Sequence, residues 1–327
     1  PRPWNEGDEH RLYQNALSQI ELADRLGYDH AWQVEHHFLE EYSHSPAPES
    51  FLAAASQRTK QIRLGHGIVQ LTTNHPARVA ERIASLDLLS NGRVEMGMGE
   101  SASITELEPF NVTMENKREI FEEAVRAIIP MFKDGPSEHH GKHFDMPLRM
   151  VVPKPLQKPH PPLFQPFASS ENTVRFCAQE GITPILPPML PVYEEKLYSV
   201  YSEVSGKPRG QGVGVLRDVI ICDTDEEAKA LWRDSGQFSG RAWFEPFGFR
   251  RGMMDPKTGA SPTSDEIIEM GYAYVGTVDT VLRAMETQQK RQPVDWVFCY
   301  TYNSLVPHPV LMKSIEAFWT KVMPRFR

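Results

Sequence analysis

The stretch Asp29-His30-Ala31-Trp32-Gln33-Val34-Glu35-His36-His37-Phe38 decides how the rest of the chain is read. It begins as a short apolar strand and ends in a carboxylate, two imidazoles and an aromatic ring. Just before it, Leu22, Ala23, Leu26 and Gly27 read as the end of an amphipathic helix stopped by a glycine. A strand that leaves a helix and ends in ionisable side chains fits an α/β barrel, where groups at the carboxyl ends of parallel strands share one cavity. A pair of loop histidines held by hydrogen bonds is the alternative, and segments further along argue against it.

Working outward, a helix is expected from about Glu9 to Leu26, on the stripe Leu12, Leu17, Ile20, Ala23 and Leu26. A second helix covers Phe51 to Gln57. The strand Ile62 to Leu71 carries Gly65 and Gly67, which mark a bulge or a ligand lying against the backbone. A helix from Ala77 to Leu89 stops at Ser90-Asn91-Gly92, and a strand follows from Arg93 to Ser101. This alternation predicts a parallel sheet with crossover helices.

Downstream, Asn116 to Phe132 is a helix, and a hairpin is expected around Lys142-His143-Phe144. Leu163 to Ala168 is a strand, and Ser169-Ser170-Glu171-Asn172-Thr173 opens a helix ending at Gly181. Strands at Thr183 to Leu186, Gly212 to Cys222 and Val294 to Tyr302 follow, with helices at Tyr193 to Val204, Gly276 to Arg291 and Pro309 to Val322. The aromatic-rich Ser235 to Ser264 shows no regular period and reads as a lid insertion or an apolar wall patch.

Composition narrows the function classes. The 327 residues carry a net charge of −8, and no basic run exceeds Arg250-Arg251, so nucleic acid is not an expected partner. Cys177, Cys222 and Cys299 are too far apart for a zinc ribbon or a disulfide framework. No run of about 18 apolar residues suits a membrane helix, so the expectation is a cytoplasmic protein with no membrane partner. Walker and Rossmann fingerprints are absent, and Gly97-Met98-Gly99 lacks the third glycine of a dinucleotide loop. Two helix starts could bind an anion: Ser169 to Thr173, and Gly276-Thr277-Val278-Asp279 late in the chain.

Several strings together resemble the bacterial luciferase-like flavin-dependent monooxygenases. They are Val34 to Phe38, Asn74-His75-Pro76-Ala77-Arg78-Val79-Ala80-Glu81, Leu86 to Arg93, Gly97-Met98-Gly99, Ala168-Ser169-Ser170 and Val322-Met323-Pro324-Arg325-Phe326. The resemblance spans nearly the whole chain and is weakest from Met189 to Tyr274. It implies a single-domain, TIM-like (β/α)8 barrel with an insertion late in the chain. It also implies reduced FMN supplied by a separate NAD(P)H:flavin reductase. Reaction with O2 would give a C4a-hydroperoxide that oxygenates a small, mostly apolar organic substrate, and the protein would be a homodimer.

Carried over by residue, His36 stands at the family's active-site histidine, and Glu35 beside it is expected to set its tautomer. Ser170 and Thr173 stand at phosphate-binding positions, and Ser169 stands where luciferase has a glutamate. Gly67 and Ile68 stand where luciferase has a cis non-proline peptide beside the flavin ring, a bond costing about 3 kcal/mol or more. Gly99 replaces luciferase's reactive cysteine, and Glu100 replaces the arginine after it. The chain begins where the family's first strand has already ended, so further residues are expected before Pro1. Three other readings stay open: an oxidoreductase using the deazaflavin F420, a non-catalytic flavin-binding barrel, and a metal hydrolase using His36 and His37. Adjacent strand histidines face opposite ways, which disfavours a shared metal, so no metal site is expected.

Overall fold

A computed structural model describes residues 4–239, 252, 254–300 and 305–327. They form two compact units, one of Gly27–Phe164, the other of Trp4–Leu26 with Gln165–Arg327. Helix α1 (Asp8–Leu26) belongs to the second unit and stops where Gly27 turns left-handed at φ +91°.

The first unit carries β1 (His30–Gln33), α2 (Pro48–Arg58), β2 (Arg63–His66), β3 (Val69–Gln70), α3 (Pro76–Leu89) and β4 (Val94–Gly99). It continues with α4 (Ile104–Leu107), α5 (Lys117–Phe132) and a hairpin of β5 (Ser137–His140) and β6 (Asp145–Arg149), and leads into β7 (Leu163–Pro166). Strands β1, β2 and β4 run parallel, with Trp32 opposite Gly65 and Leu64 opposite Val94. Strand β3 lies along the end of β4, with Gln70 opposite Gly99, and Met96 of β4 faces Leu163.

The strand expected over Ile62 to Leu71 is therefore two strands, interrupted at Gly67-Ile68. Their peptide is not cis: the described cis bonds are Val152-Pro153 and Lys158-Pro159. The Gly67 N–H continues the ladder by donating to Gln33 O at 2.7 Å. The glycines of this sheet serve packing. A Cβ on Gly65 would lie 2.1 Å from Trp32 Nε1, and one on Gly99 would lie 2.4 Å from Ile68 Cδ1. Ile68 thus fills the space that a cysteine at position 99 would need.

Buried carboxylates tie this unit together. Glu95 of β4 accepts from His30 Nδ1 at 2.9 Å, Trp32 Nε1 at 2.8 Å and Arg63 Nε at 2.8 Å. Burial alone would raise its carboxyl, but these partners hold it below the usual range. Asp87 accepts from the Gln157 amide N–H at 3.0 Å and from Gln157 Nε2 at 2.7 Å. Arg93 donates to Ile62 O at 2.7 Å and Ser56 O at 2.9 Å. The string Leu86 to Arg93 is thus a structural clamp.

The second unit adds α6 (Glu171–Glu180), β8 (Thr183–Leu186), α7 (Pro191–Ser205), β9 (Gly214–Ile221), α8 (Asp225–Ser239), α9 (Ser264–Glu269), β10 (Ala273–Gly276), α10 (Val278–Arg291), β11 (Trp296–Tyr300) and α11 (His308–Ala317). Strands β8, β10 and β11 each pair parallel with β9. Helices α8 and α9 and strand β10 are not predicted by the sequence, in which the strand before them closes at Asp223-Thr224-Asp225. Strand β9 does close before that run, and the run's last residue, Asp225, opens α8, whose Ala228 and Trp232 enter the core beside Ile220 and Val275. The aromatic stretch expected to be a lid falls largely on 240–251 and 253, outside the described residues. Within its expected range, Ser235 to Ser239 closes α8 and Ser264 opens α9.

Replacing Gly65 by alanine forces Cβ into the Trp32 ring, so the expected loss is about 1–3 kcal/mol of stability, read as a lower urea midpoint at unchanged slope.

Candidate active site

In the first unit, the segments after β1, at β3 and after β4 bring together Glu35, His36, His37, Gln70, Asn74, Ser101 and Glu106. His36 Nδ1 lies 3.1 Å from Glu106 Oε1, and the His37 amide N–H donates to the same oxygen at 2.9 Å. Ser101 Oγ donates to Glu106 Oε2 at 2.8 Å. Glu35 instead takes His37: its Oε1 lies 3.0 Å from His37 Nε2, and its Oε2 accepts from the Gln70 N–H at 2.8 Å. The expected Glu35–His36 partnership is therefore corrected. Side chains two apart share a side of an extended chain, so Glu35 meets His37, while His36 turns towards the β4–α4 segment.

Gln70 joins the two pairs. Its Nε2 donates to Glu106 Oε1 at 2.9 Å and to Glu35 O at 3.1 Å. Asn74 Nδ2 donates to Glu35 Oε1 at 3.2 Å, while its own Oδ1 accepts from Arg82 at 2.7 Å. Every link has a local cause. Val69-Gln70 pairs with the end of β4, which sets the Gln70 amide beside the segment leading to Glu106. Ser101 sits at φ +56°, a left-handed turn that starts this segment back towards α4. Glu106 and Gln70 were not legible as site residues, since their roles come from the parallel pairing of β3 with the end of β4, which no local motif signals. Asn74 lay in a quoted string, but without an assigned role.

The electrostatics follow from these bonds. Burial pushes the Glu106 carboxyl up, but His36, the His37 amide and Ser101 outweigh it and hold the group below the ordinary carboxylate range. The hydrogen bond to Glu35 raises His37 above its ordinary value of 6.5, against the opposing effect of burial. Rings crowd the pair: His37 and Phe110 centroids are 5.4 Å apart, and His36 meets Tyr42 edge-on at 5.1 Å. Glu100, where luciferase has an arginine, lies 3.3 Å from Arg118 and 3.7 Å from Lys117. Gly67 has ordinary space around it, a Cβ there meeting nothing closer than 3.7 Å.

In the second unit the two candidate anion sites differ. Ser170 caps α6: its Oγ accepts from the Thr173 N–H at 3.2 Å and lies 2.9 Å from Thr173 Oγ1. Ser169 and Ser170 are exposed, Thr173 is buried, and Ala168 is buried behind them. At the start of α10 the place is taken. Asp225 accepts from the Thr277 N–H at 2.6 Å and from Thr280 Oγ1 at 2.9 Å, and a Cβ on Gly276 would lie 2.5 Å from its Oδ1. The protein's own carboxylate fills that terminus, which leaves Ser169 to Thr173 as the place suited to a phosphate. Among the described residues, no helix is long and apolar enough to cross a membrane, and no group of three or more His, Cys, Asp or Glu could hold a metal ion.

Because the His37 pKa is raised in the folded state, its pairing with Glu35 stabilises the protein fully below pH 6.5 and loses that contribution as pH rises through the folded value. Glu35→Gln is expected to bring the His37 titration, followed by NMR of the imidazole, back down towards 6.5 or below. An unmoved titration counts against the pairing.

The chain has relatives in both sequence and fold. The family profile described as luciferase-like monooxygenase matches residues 2–294. The oxygenase component of flavin-dependent trigonelline monooxygenase from Acinetobacter baylyi is 29% identical over 244 residues, 72% of this chain and 67% of that protein. The oxygenating constituent of 3,6-diketocamphane monooxygenase from Pseudomonas putida, solved with FMN, superposes with a TM-score of 0.82 at 20% identity, covering 99% of this chain and 95% of its own. An F420-dependent secondary alcohol dehydrogenase superposes with a TM-score of 0.77 at 19% identity, covering 96% of this chain and 95% of its own. The fold is the TIM-like α/β barrel that the family resemblance implies. With nine-tenths of its length matched by the profile, the chain belongs to the luciferase-like monooxygenase family and is an oxidoreductase of that family.

Proposed function

We propose that the protein is the oxygenase of a two-component system that uses reduced FMN and O2 to oxygenate a small, mostly apolar organic compound. The observation that carries this reading is the His36–Glu106 pair, a carboxylate-held imidazole at the strand ends. With Nδ1 protonated towards Glu106, the imidazole exchanges its proton at Nε2, which suits it to hold or deliver one proton at a reacting oxygen. In this reading Glu35 supports the site through His37 and Gln70 rather than by touching His36.

The residues present fit a flavin. The capped start at Ser169, Ser170 and Thr173, where Lys196 pairs with the Glu171 carboxylate, suits a phosphate, and the small surfaces of Gly67 and Gly99 with Ile68 suit a flat ring, Glu100 adding its backbone beside Gly99. Bound reduced flavin supplies the electrons that activate O2. The chain's own task is to bind and orient it, exclude water and hold the proton at His36. The FMN named with the 3,6-diketocamphane enzyme and the oxygenase component named in the trigonelline system support FMN and a separate NAD(P)H:flavin reductase. A homodimer in the cytoplasm completes the reading. Hydride transfer with F420 is the competing one, since that chemistry occurs on the same fold.

Stopped-flow mixing of protein loaded with reduced FMN against oxygenated buffer should show reoxidation slower than in free flavin, and 18O from O2 should enter the product of an accepted substrate. Reoxidation at the free-flavin rate, with F420 reduced by a secondary alcohol and no oxygen uptake, would overturn the proposal. His36→Ala should lower oxygenation about 10²–10⁴-fold while FMN binding is largely kept. Ser170→Ala combined with Thr173→Ala should weaken FMN about tenfold or more, as expected for lost bonds to a charged group, and leave riboflavin nearly unchanged. An equal loss for both ligands removes the phosphate assignment.

A further inference from the structure

The segment between β4 and α4 is fastened by a lysine that stands in an unfavourable place. Lys117 is the first residue of α5, where the helix dipole is positive and a cation is disfavoured. Its side chain is only 16% exposed, and burial pushes the ammonium below its ordinary range although Glu100 pulls the other way. The ammonium donates to Ser101 O at 2.6 Å, while Glu100 Oε2 lies at 3.7 Å. A lysine placed only to neutralise Glu100 would bond that carboxylate, which Arg118 already reaches at 3.3 Å. The short bond of Lys117 goes instead to a backbone carbonyl.

That carbonyl belongs to a strained residue. Ser101 sits at φ +56°, a conformation that costs a side-chain-bearing residue about 1–3 kcal/mol and persists only where the surroundings impose it. Here the peptide groups on both sides are held. Thr72 Oγ1 donates to Glu100 O at 3.3 Å, and Lys117 donates to Ser101 O.

Held in this way, Ser101 Oγ accepts from the Ser103 N–H at 3.2 Å and donates to Glu106 Oε2 at 2.8 Å. The other oxygen, Oε1, faces His36 Nδ1, the His37 N–H and Gln70 Nε2 at 3.1, 2.9 and 2.9 Å. The terminal torsion of a glutamate is soft, so a carboxylate anchored at one oxygen still turns. The bond to Ser101 fixes its plane, and the left-handed turn aims that bond.

We propose that Lys117 is a positioning residue for the reaction. Its ammonium holds the turn at Ser101, and that turn sets the Glu106 carboxylate against His36. The inference rests on His36 as the proton-holding group of the function proposed above, and Lys117 itself touches none of the reacting atoms.

The Glu106 carboxyl is the reporter, titrated by 13C NMR in the flavin-free protein and assigned by its loss in Glu106→Gln. Ser101→Ala removes a bond that helps to hold this group low, so its titration should move up towards the ordinary carboxylate range. Lys117→Met should move it in the same direction, and Lys117→Arg, which keeps a cationic donor, should restore it. Added to Ser101→Ala, Lys117→Met should produce no further rise, because both act through one turn. Lys117→Gln is the milder removal should Lys117→Met fail to fold, with the same rise expected. In the loaded protein Lys117→Met should lower kcat by up to about 100-fold, as for a misplaced catalytic group, with substrate KM and FMN affinity nearly unchanged. An unmoved Glu106 titration would overturn the proposal, as would a full additional rise in the double variant or a parallel loss of FMN affinity. The titration needs no flavin, so it is decided separately from whether the loaded protein reacts with O2 or transfers hydride with F420.

Discussion

The first unit depends on how buried carboxylates are satisfied. Glu35, Glu95 and Glu106 are each at most 4% exposed, and a carboxylate stripped of water is tolerated only with donors on its oxygens. Glu95 takes them from β1 and β2, and so fixes the register of the first strands. Glu35 and Glu106 take theirs from the two histidines, Ser101 and Gln70, and so fix the loops that follow those strands. A single amide serves both loops. The site residues are held by the same bonds that make burial of the acids possible, so positioning and stability are not separable here.

Packing imposes the second constraint. Gly65 admits the Trp32 ring and Gly99 admits the Ile68 side chain, each at a distance no Cβ could share. The position held by a reactive cysteine in luciferase is therefore changed together with its neighbour: a glycine here is matched by an isoleucine that fills the gap. Substituting either one alone breaks the fit, whichever chemistry the surface supports.

Anion chemistry in the second unit is decided by what already occupies each place. The start of α10 and the start of α6 look alike as sequences, each with hydroxyl residues opening a helix. Asp225 arrives from α8 to neutralise α10, whereas Ser170 and Thr173 of α6 bond chiefly to each other.

Local pattern alone determined much of this protein. The α1 stripe and its glycine stop, Pro76 at the head of α3, Ser170 at the cap of α6 and the strand Thr183–Leu186 were readable because propensity, capping and period act over a few residues. The histidine pair at the end of β1 marked the candidate site for the same reason. What the sequence left undecided lies at long range: α8, whose apolar stripe is short and follows an acidic run, and the partners of His36 and His37. Glu106 is 70 residues from His36 in the chain, and no periodicity encodes that contact. Only the pairing of β3 with the end of β4 brings Gln70 and Glu106 together, because side-chain partners are chosen by which strand ends meet in space, and that choice belongs to the tertiary fold.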